Sequence, residues 1–306
     1  MGRILGDHSA TDSIALGLRE IARQHYLGEM PPELAKHRIQ TLANPNFPVR
    51  SLSFAFRRLL YQTFPGLDPA VQAELFHLGQ VDPRCRIPSV VQTGDSLLRH
   101  IPGTTLLPTR TSYRLGQCAR PLLNGALYEG PRPKVFEFGV GSGIVAASLL
   151  RDCGEEAVEY FGGELDPSAA RAAKESMRWN GFRPETCSVS VGDGFAVLPR
   201  DAKMDLIVSN PPYWISRGAK SPKARTLGPA LALDGGEDGT VFYSRILKEG
   251  AGYIKAGGHF LLQVPLPLVD RITEMAQAEY PASVVSRAAL EPQREGSDVA
   301  LVVQAA

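Results

Sequence analysis

MDLIVSNPPYW, at residues 204–214, combines an apolar run with an unusual turn. The run before Asn210 predicts a buried strand that stops abruptly at its carboxyl end. Pro211 and Pro212 have a fixed φ and no N–H, so the turn offers carbonyl oxygens and few donors. Such a turn suits an amino group, because the side-chain carbonyl of Asn210 and the backbone carbonyl of Pro211 can accept its hydrogens while Tyr213 stacks on it.

Asn-Pro-Pro by itself is also ordinary turn chemistry, so its meaning depends on what accompanies it. In KVFEFGVGSG, residues 134–143, a short apolar strand runs directly into Gly139, Gly141 and Gly143. Glycines at such a position let the backbone approach a ligand, and a helix starting near Ser142 would direct its N-terminal N–H groups at it. The sequence therefore predicts a ligand-binding loop upstream of the turn.

Two acidic residues extend this pattern. A second apolar strand ends in Glu164, which is separated from Gly143 by the length of one helix and one strand. In dinucleotide-binding folds an acidic residue at that place binds the ribose hydroxyls. A third apolar strand is followed by Asp193, whose carboxylate could accept a hydrogen bond from the amino group of adenine. A nucleoside-containing ligand is the prediction that joins these features.

The order of glycine loop, Glu164, Asp193 and Asn-Pro-Pro-Tyr resembles the class I S-adenosylmethionine-dependent methyltransferases, and within them the HemK-like family of protein-glutamine N5-methyltransferases. The resemblance covers residues 106–306 and includes ALALDGGEDG at residues 230–239, which is similar to the segment after the family's fourth strand. It implies an α/β fold, a doubly wound, seven-stranded, mostly parallel Rossmann-like methyltransferase sheet with an N-terminal helical domain.

The resemblance also implies S-adenosyl-L-methionine as the cofactor. By this resemblance, the glycine loop would approach the methionine part of the cofactor. A different carboxylate would bind each of the ammonium group, the ribose and the adenine. The cofactor-binding residues that it implies are Glu137, Gly139, Gly141, Gly143, Glu164, Asp193 and Asn210. For Glu137, the expected partner of the ammonium group, a strand carboxylate facing solvent is the alternative. Asp166, which precedes Pro167, is expected to cap a helix rather than to bind a ligand.

The catalytic residues that we predict are Asn210, Pro211 and Tyr213, with no metal. An amide nitrogen is a poor nucleophile because its lone pair is delocalised, and accepting its N–H hydrogens favours a pyramidal transition state. Methyl transfer from a sulfonium mainly requires that donor and nucleophile be close and aligned. Trp214 is expected either to stack on the substrate or to make a structural contact.

The acceptor is predicted to be a small molecule or a protein glutamine. In the segment LLPTRT, residues 106–111, no acidic residue follows Arg110, whereas HemK-like proteins have acidic residues there; this departure favours a small molecule. Three alternatives remain: an enzyme of this fold that cyclises the cofactor to azetidine-2-carboxylate and releases methylthioadenosine, a nucleic-acid N6-adenine methyltransferase, and a non-catalytic cofactor-binding protein. Intact Asn210 and Tyr213 argue against the last.

The composition limits the partners and the compartment. With 33 basic and 32 acidic residues, a formal charge of +1 supplies no overall field for holding a phosphate backbone, so a nucleic-acid partner has no support. The four cysteines form no CxxC or Cys/His cluster, which favours a reduced cytoplasmic protein without a metal site. We expect no signal peptide and no membrane span. The sequence does not indicate an oligomeric state.

The predicted domains are a helical N-terminal domain at 1–80, a connector at 81–111 with at most a short hairpin, and a catalytic domain at 112–306. Prolines separate four predicted N-terminal helices, at 14–27, 33–42, 52–64 and 70–78. The catalytic domain alternates strands and helices, which requires a mostly parallel sheet. Its predicted strands are 134–138, 158–163, 187–191, 205–209, 259–264, 283–290 and 299–305. Its predicted helices are 113–128, 142–152, 167–180, 194–198, 240–254 and 266–278.

Overall fold

A computed structural model of the chain describes residues 17–18, 20–42, 71, 89–101, 103–128, 130–219, 228–291 and 298–305. The chain divides into two compact units, residues 1–92 and 93–306. In the first unit, residues 20–26 are helical and a second helix spans Pro32–Leu42, as predicted. The predicted helix at 52–64, and that at 70–78 apart from Val71, lie outside the described residues. The predicted domain boundaries stay predictions.

Nine strands can be assigned in the described part of the chain. Strands β1 (Ser89–Thr93) and β2 (Ser96–His100) form a two-stranded sheet, the short hairpin that was expected there. The other seven form one sheet in the order β5-β4-β3-β6-β7-β9-β8. They are β3 (Lys134–Phe138), β4 (Glu159–Glu164), β5 (Cys187–Val191), β6 (Met204–Ser209), β7 (Ile254–Val264), β8 (Val284–Ala289) and β9 (Val299–Gln304).

Strands β3 to β7 are mutually parallel, and β9 runs antiparallel to both β7 and β8. The predicted doubly wound, seven-stranded, mostly parallel sheet is therefore confirmed. Both faces of the sheet are apolar, because neighbouring residues of one strand belong to different clusters: Val135 packs in one hydrophobic cluster and Phe136 in the other. Burial on both faces explains why the central strands are continuous apolar runs without alternation.

Helices cover the sheet and mostly follow the predicted ranges. They are Arg110–Gln117, Ala119–Tyr128, Ile144–Cys153, Pro167–Trp179, Ser216–Ala219, Val241–Gly250 and Val269–Glu279. The predicted single helix at 113–128 is wrong, since two helices meet at Cys118. The first begins at Arg110 because the side chain of Thr109 accepts the N–H of Ser112 and caps it.

Three further boundaries needed correction. The helix predicted at 240–254 ends at Gly250, and β7 begins at Ile254 rather than at 259. The helix predicted at 266–278 starts with a 3₁₀ turn, Leu266–Leu268. At Gly250 a Cβ would lie 2.6 Å from the Phe260 ring, so the end of this helix approaches the sheet too closely for any side chain. Close packing on β7 therefore sets this boundary.

The order of the strands reverses between β3 and β6, so the connections from these neighbours lead in opposite directions along the sheet. In open α/β sheets, ligands bind at such a switch point, outside the carboxyl ends of the strands. The glycine loop follows β3 and Asn210 follows β6, which brings both predicted features to this place. None of the described helices is both long and apolar enough to cross a membrane.

Candidate active site

A cavity opens at the carboxyl ends of β3, β4, β5 and β6. Of the predicted cofactor-binding residues, it brings together Glu137, Gly139, Gly141, Glu164, Asp193 and Asn210. With Asp166, four carboxylates line it, and no Lys, Arg or His is among its described lining residues. A cavity with this excess of negative charge suits a ligand that carries positive charge.

The glycine loop forms one wall of this cavity. Gly139 has φ 76° and Gly141 has φ 58°, a region that favours glycine, and a Cβ at either position would meet nothing within 4 Å. The open space beside both residues lets a ligand contact the backbone directly. Gly143 differs, because it does not line the cavity and a Cβ there would lie 2.6 Å from Cε of Met177. Gly143 has φ 84°, which itself favours glycine, and its expected contact with the cofactor stays a prediction.

Glu164 is held in place by the backbone around it. Its Oε2 accepts the N–H of Gly141 at 2.8 Å, and its Oε1 accepts the N–H of Asp166 at 3.0 Å. Each carboxylate oxygen has a second lone pair, so both can still accept hydrogen bonds from a ligand. Asp166 itself accepts the N–H groups of Ser168 and Ala169, which confirms the predicted helix cap.

Asp193 stands at the far end of the cavity with a partner that the sequence had not suggested. Its Oδ1 is 2.5 Å from Nη1 of Arg245, which also contacts Glu249. Hydrogen bonds to Glu249 and to Asp193 raise the pKa of Arg245, so this guanidinium stays charged. Asp193 remains more than half exposed, and its contact with Arg245 is made through Oδ1. The contact with Arg245 therefore anchors one oxygen of a carboxylate that lines the cavity.

Glu137 is buried, not exposed. Only 1% of the residue is accessible, and its Oε2 accepts the hydroxyl of Tyr160 at 2.5 Å. Burial, as the largest cause, raises the pKa of Glu137 to about 8. The alternative of a strand carboxylate facing solvent is therefore wrong. A buried carboxyl group that lines an acidic cavity is a place where a cationic ligand would favour the ionised form.

Asn210 lies where two cavities meet, since it lines both the first cavity and a second, smaller one. Its Nδ2 donates to Oγ of Ser112 at 2.8 Å. Its Oδ1 is buried and has no hydrogen-bond partner among the residues described. A buried carbonyl without a hydrogen-bond partner lowers stability by about 1–3 kcal/mol, so this oxygen is available to accept a hydrogen bond from a ligand.

The second cavity contains the other residues of the predicted turn. Pro211, Tyr213 and Trp214 line it, and none of its described lining residues is charged. The hydroxyl of Tyr213 donates to Oδ2 of Asp298 at 3.1 Å, and burial, followed by the charge of Asp298, raises the pKa of Tyr213. Trp214 packs with Leu233, which is the structural contact that was expected, and its stacking on a substrate stays a prediction.

Four polar residues near the site were missed from the sequence: Ser112, Arg245, Gln263 and Asp298. One of them left a readable signal, because Gln263 is an amide inside the apolar run of β7 and is only 1% exposed. A polar side chain at such a position needs a partner and thereby indicates a network. No group of three or more metal-binding side chains was found in the part of the chain that is described.

Comparisons with known proteins agree with this geometry. The family model described as "Methyltransferase small domain" matches residues 116–226. Release factor glutamine methyltransferase of Geobacter sulfurreducens is 33% identical over 144 residues, 46% of this chain and 48% of that protein. The same enzyme of Cereibacter sphaeroides is 29% identical over 179 residues, 58% of this chain and 61% of that one. The chain thus spans about half to three fifths of the length of these relatives.

Two further comparisons concern other substrates. The 4-amino-L-phenylalanine/4-methylamino-L-phenylalanine methyltransferase of Streptomyces pristinaespiralis is 32% identical over 133 residues, 43% of each chain. The solved structure of the T. thermophilus 16S rRNA N2 G1207 methyltransferase with AdoMet and guanosine has a TM-score of 0.50 and 19% identity, covering 72% of this chain and 50% of that one, which supports the fold alone. The resemblance to HemK-like class I methyltransferases is therefore confirmed: residues 116–226 match the family model of the methyltransferase small domain, and the chain is similar to release factor glutamine methyltransferases over about half of its length.

Proposed function

We propose that this protein is an S-adenosylmethionine-dependent N-methyltransferase that acts on an uncharged nitrogen, in a small molecule or in a protein glutamine. The observation that carries the proposal is the position of Asn210. It lies between an acidic cavity and an uncharged cavity, with a buried Oδ1 that lacks a partner in the described structure. An acceptor nitrogen bound there would meet a cofactor from the neighbouring cavity.

The charge of the first cavity suits the cofactor. S-adenosylmethionine carries an ammonium group, a sulfonium and one carboxylate, so it is cationic overall, and four carboxyl groups line this cavity. When bound, the cofactor supplies a methyl group activated by the adjacent sulfonium. Gly139 and Gly141 leave open space for its methionine part. We assign the ribose hydroxyls to Glu164, whose two oxygens keep free lone pairs.

In this proposal, two other carboxylates bind the two ends of the cofactor. Glu137, buried beside Tyr160, pairs with the ammonium group, because an opposite charge favours the ionised carboxylate. Asp193 accepts from the adenine amino group with the oxygen that Arg245 leaves available. No contact in this set requires a metal ion.

Asn210 acts on the acceptor. Its Oδ1 accepts an N–H hydrogen of the acceptor group, and we assign a second to the backbone carbonyl of Pro211, a residue that lines the second cavity. Both contacts orient the nitrogen lone pair and favour the pyramidal geometry of the transition state. Tyr213 borders the same cavity and supplies an aromatic surface for a planar group.

The lining of the second cavity supports an uncharged acceptor. A protonated alkylamine has no lone pair to donate, and none of the described side chains that line this cavity carries a charge to pair with it. A carboxamide and an arylamine are both neutral and planar at neutral pH. Relatives that are named for glutamine and for 4-aminophenylalanine substrates represent these two classes. A cytoplasmic location would suit either class and the unpaired thiols of Cys118, Cys153 and Cys187.

The test is a product assay with three acceptor classes. The protein is incubated with S-adenosylmethionine and with glutamine peptides, 4-aminophenylalanine or a simple alkylamine as control, and the products are identified by mass spectrometry. We expect S-adenosylhomocysteine and a methylated carboxamide or arylamine in equal amounts, with no methylated alkylamine. Methylthioadenosine as the product would show that the enzyme cyclises the cofactor and does not transfer its methyl group. Methylated alkylamine as the main product would contradict the uncharged acceptor.

A further inference from the structure

Two polar side chains, Ser112 and Gln263, connect Asn210 to the carboxylate of Asp298. We infer that Ser112, Gln263 and Asp298 form a directional hydrogen-bond chain that fixes the orientation of the Asn210 amide. They are positioning residues, since they act through Asn210 and none is assigned to the reacting atoms. The geometric part of this inference is independent of the proposed function, whereas its consequence for turnover rests on it.

The links of the chain are short at its ends. Nδ2 of Asn210 donates to Oγ of Ser112 at 2.8 Å, and Nε2 of Gln263 donates to Oδ2 of Asp298 at 2.7 Å. In the middle, Oγ of Ser112 donates to Oε1 of Gln263 at 3.4 Å, the longest link. Ser112 is 2% exposed and Gln263 is 1% exposed, so solvent does not compete for these groups. A buried chain of this kind is strongly constrained.

The direction of the chain follows from Asp298, because an ionised carboxylate accepts hydrogen bonds and cannot donate them. Gln263 must therefore turn Nε2 towards Asp298, which leaves Oε1 for Ser112. Ser112 has one proton, and when this proton is given to Oε1, its oxygen can only accept from Asn210. Asn210 must then present Nδ2 to Ser112, and its Oδ1 is left facing the cavities.

Two further contacts hold the hydrogen-bond chain at its two ends. Tyr213 donates its hydroxyl to Oδ2 of Asp298, so this carboxylate oxygen receives a second donor. Oγ1 of Thr109 lies 2.9 Å from Oγ of Ser112, where either oxygen could be the donor. If Ser112 gives its proton to Thr109 instead of Gln263, its oxygen still accepts from Asn210. The orientation of Asn210 is the same in both arrangements.

The consequence concerns the chemistry of the site. An amide side chain can rotate by half a turn and exchange its oxygen for its NH2 group at little cost in shape. With NH2 facing the cavities, Asn210 would donate to the acceptor and oppose an N–H group instead of binding it. The chain from Asp298 excludes this rotamer, and so preorganises the one acceptor that the proposed reaction needs.

The direct test observes the Asn210 amide in the protein without cofactor or substrate. In protein labelled with 15N-asparagine, the side-chain resonances of Asn210 are identified by their loss in Asn210→Ala. We expect Ser112→Ala, and also Asp298→Asn three links away, to shift or broaden this pair. Ser148→Ala is the matched control, because Ser148 is 1% exposed and donates to the carbonyl of Tyr113 in the same helix as Ser112. Unchanged Asn210 resonances in both variants would overturn the inference.

A kinetic cycle tests the consequence once an acceptor is known. We expect Ser112→Ala to lower kcat about tenfold, the effect of one lost hydrogen bond, while the Kd of S-adenosylmethionine stays within about twofold. Ser112→Thr, which keeps the hydroxyl, should recover most of this loss. The double variant Ser112→Ala/Asn210→Ala should be no slower than Asn210→Ala, because Ser112 acts only through Asn210. If the two substitutions lower kcat by factors that multiply in the double variant, the inference is contradicted. If the protein transfers no methyl group at all, the resonance test alone decides the inference.

Discussion

Oε2 of Glu164, at the end of β4, accepts the backbone N–H of Gly141 in the glycine loop at 2.8 Å. One carboxylate thus holds the loop that shapes the cavity while presenting free lone pairs to a ligand. A side chain without an acceptor oxygen could do neither, since the loop N–H would then lose its partner.

We therefore expect Glu164→Ala to weaken S-adenosylmethionine binding by about 1–3 kcal/mol, the cost of poorly satisfied ribose hydroxyls. Isothermal titration calorimetry measures the affinity of each variant for the cofactor. Glu159→Ala is the control, because Glu159 is the same residue type at the other end of β4 and forms a surface contact with Lys134. Equal affinities of the Glu164→Ala and Glu159→Ala proteins would assign the ribose contact to another residue.

Asn210→Ala should separate catalysis from cofactor binding. Removal of Oδ1 deletes the contact to the acceptor, so we expect kcat to fall on the order of a hundredfold while the Kd of the cofactor is nearly unchanged. Steady-state kinetics with the acceptor found by the product assay, together with calorimetry, measure the two quantities. A parallel loss of affinity and turnover would mean that Asn210 holds the loop or the cofactor instead.

Glu137 should make the stability of the unliganded protein fall as pH rises. Its pKa is raised to about 8 in the folded state, so between pH 4.5 and 8 the folded protein holds a proton that the unfolded chain has lost. This contribution is complete below pH 4.5 and is lost at about 1.4 kcal/mol per pH unit as pH rises through this window. Thermal melting from pH 6.5 to 8.5 should show a steeper decline for the wild type than for Glu137→Gln. Identical slopes would refute the assignment.

His100 should make the stability of the protein fall as pH decreases, the opposite direction to Glu137. It is 4% exposed, and burial lowers its pKa to about 4, so below pH 6.5 the unfolded chain takes up a proton that the folded protein does not. Stability is therefore lost as pH falls from 6.5 towards 4. Melting curves of His100→Gln should decline less between pH 6.5 and 5 than those of the wild type.

The sequence predicted most of the sheet because its signals are local. The strand of residues 134–138 matches β3, and that of 187–191 matches β5, since each is an apolar run bounded by residues that end strands. Boundaries that failed depended on distant packing. The helix that ends at Gly250 does so against Phe260, and no local pattern reports that contact.

The candidate site divides in the same way. Residue type and order alone were enough to select Glu164, Asp193 and Asn210, because a carboxylate or an amide after each strand is visible in the printed sequence. The burial of Glu137 and its hydrogen bond to Tyr160 were decided only in the folded chain.

By itself, the sequence determined the fold class, the glycine loop and the turn at Asn210, since these depend on backbone conformation and hydrophobic pattern within short segments. Only the tertiary structure decided which way the Asn210 amide faces. That orientation depends on Ser112, Gln263 and Asp298, which are far apart in the chain and meet only where the carboxyl ends of the strands converge. Hydrogen-bond direction is a property of the assembled network, because each donor is fixed by the next acceptor.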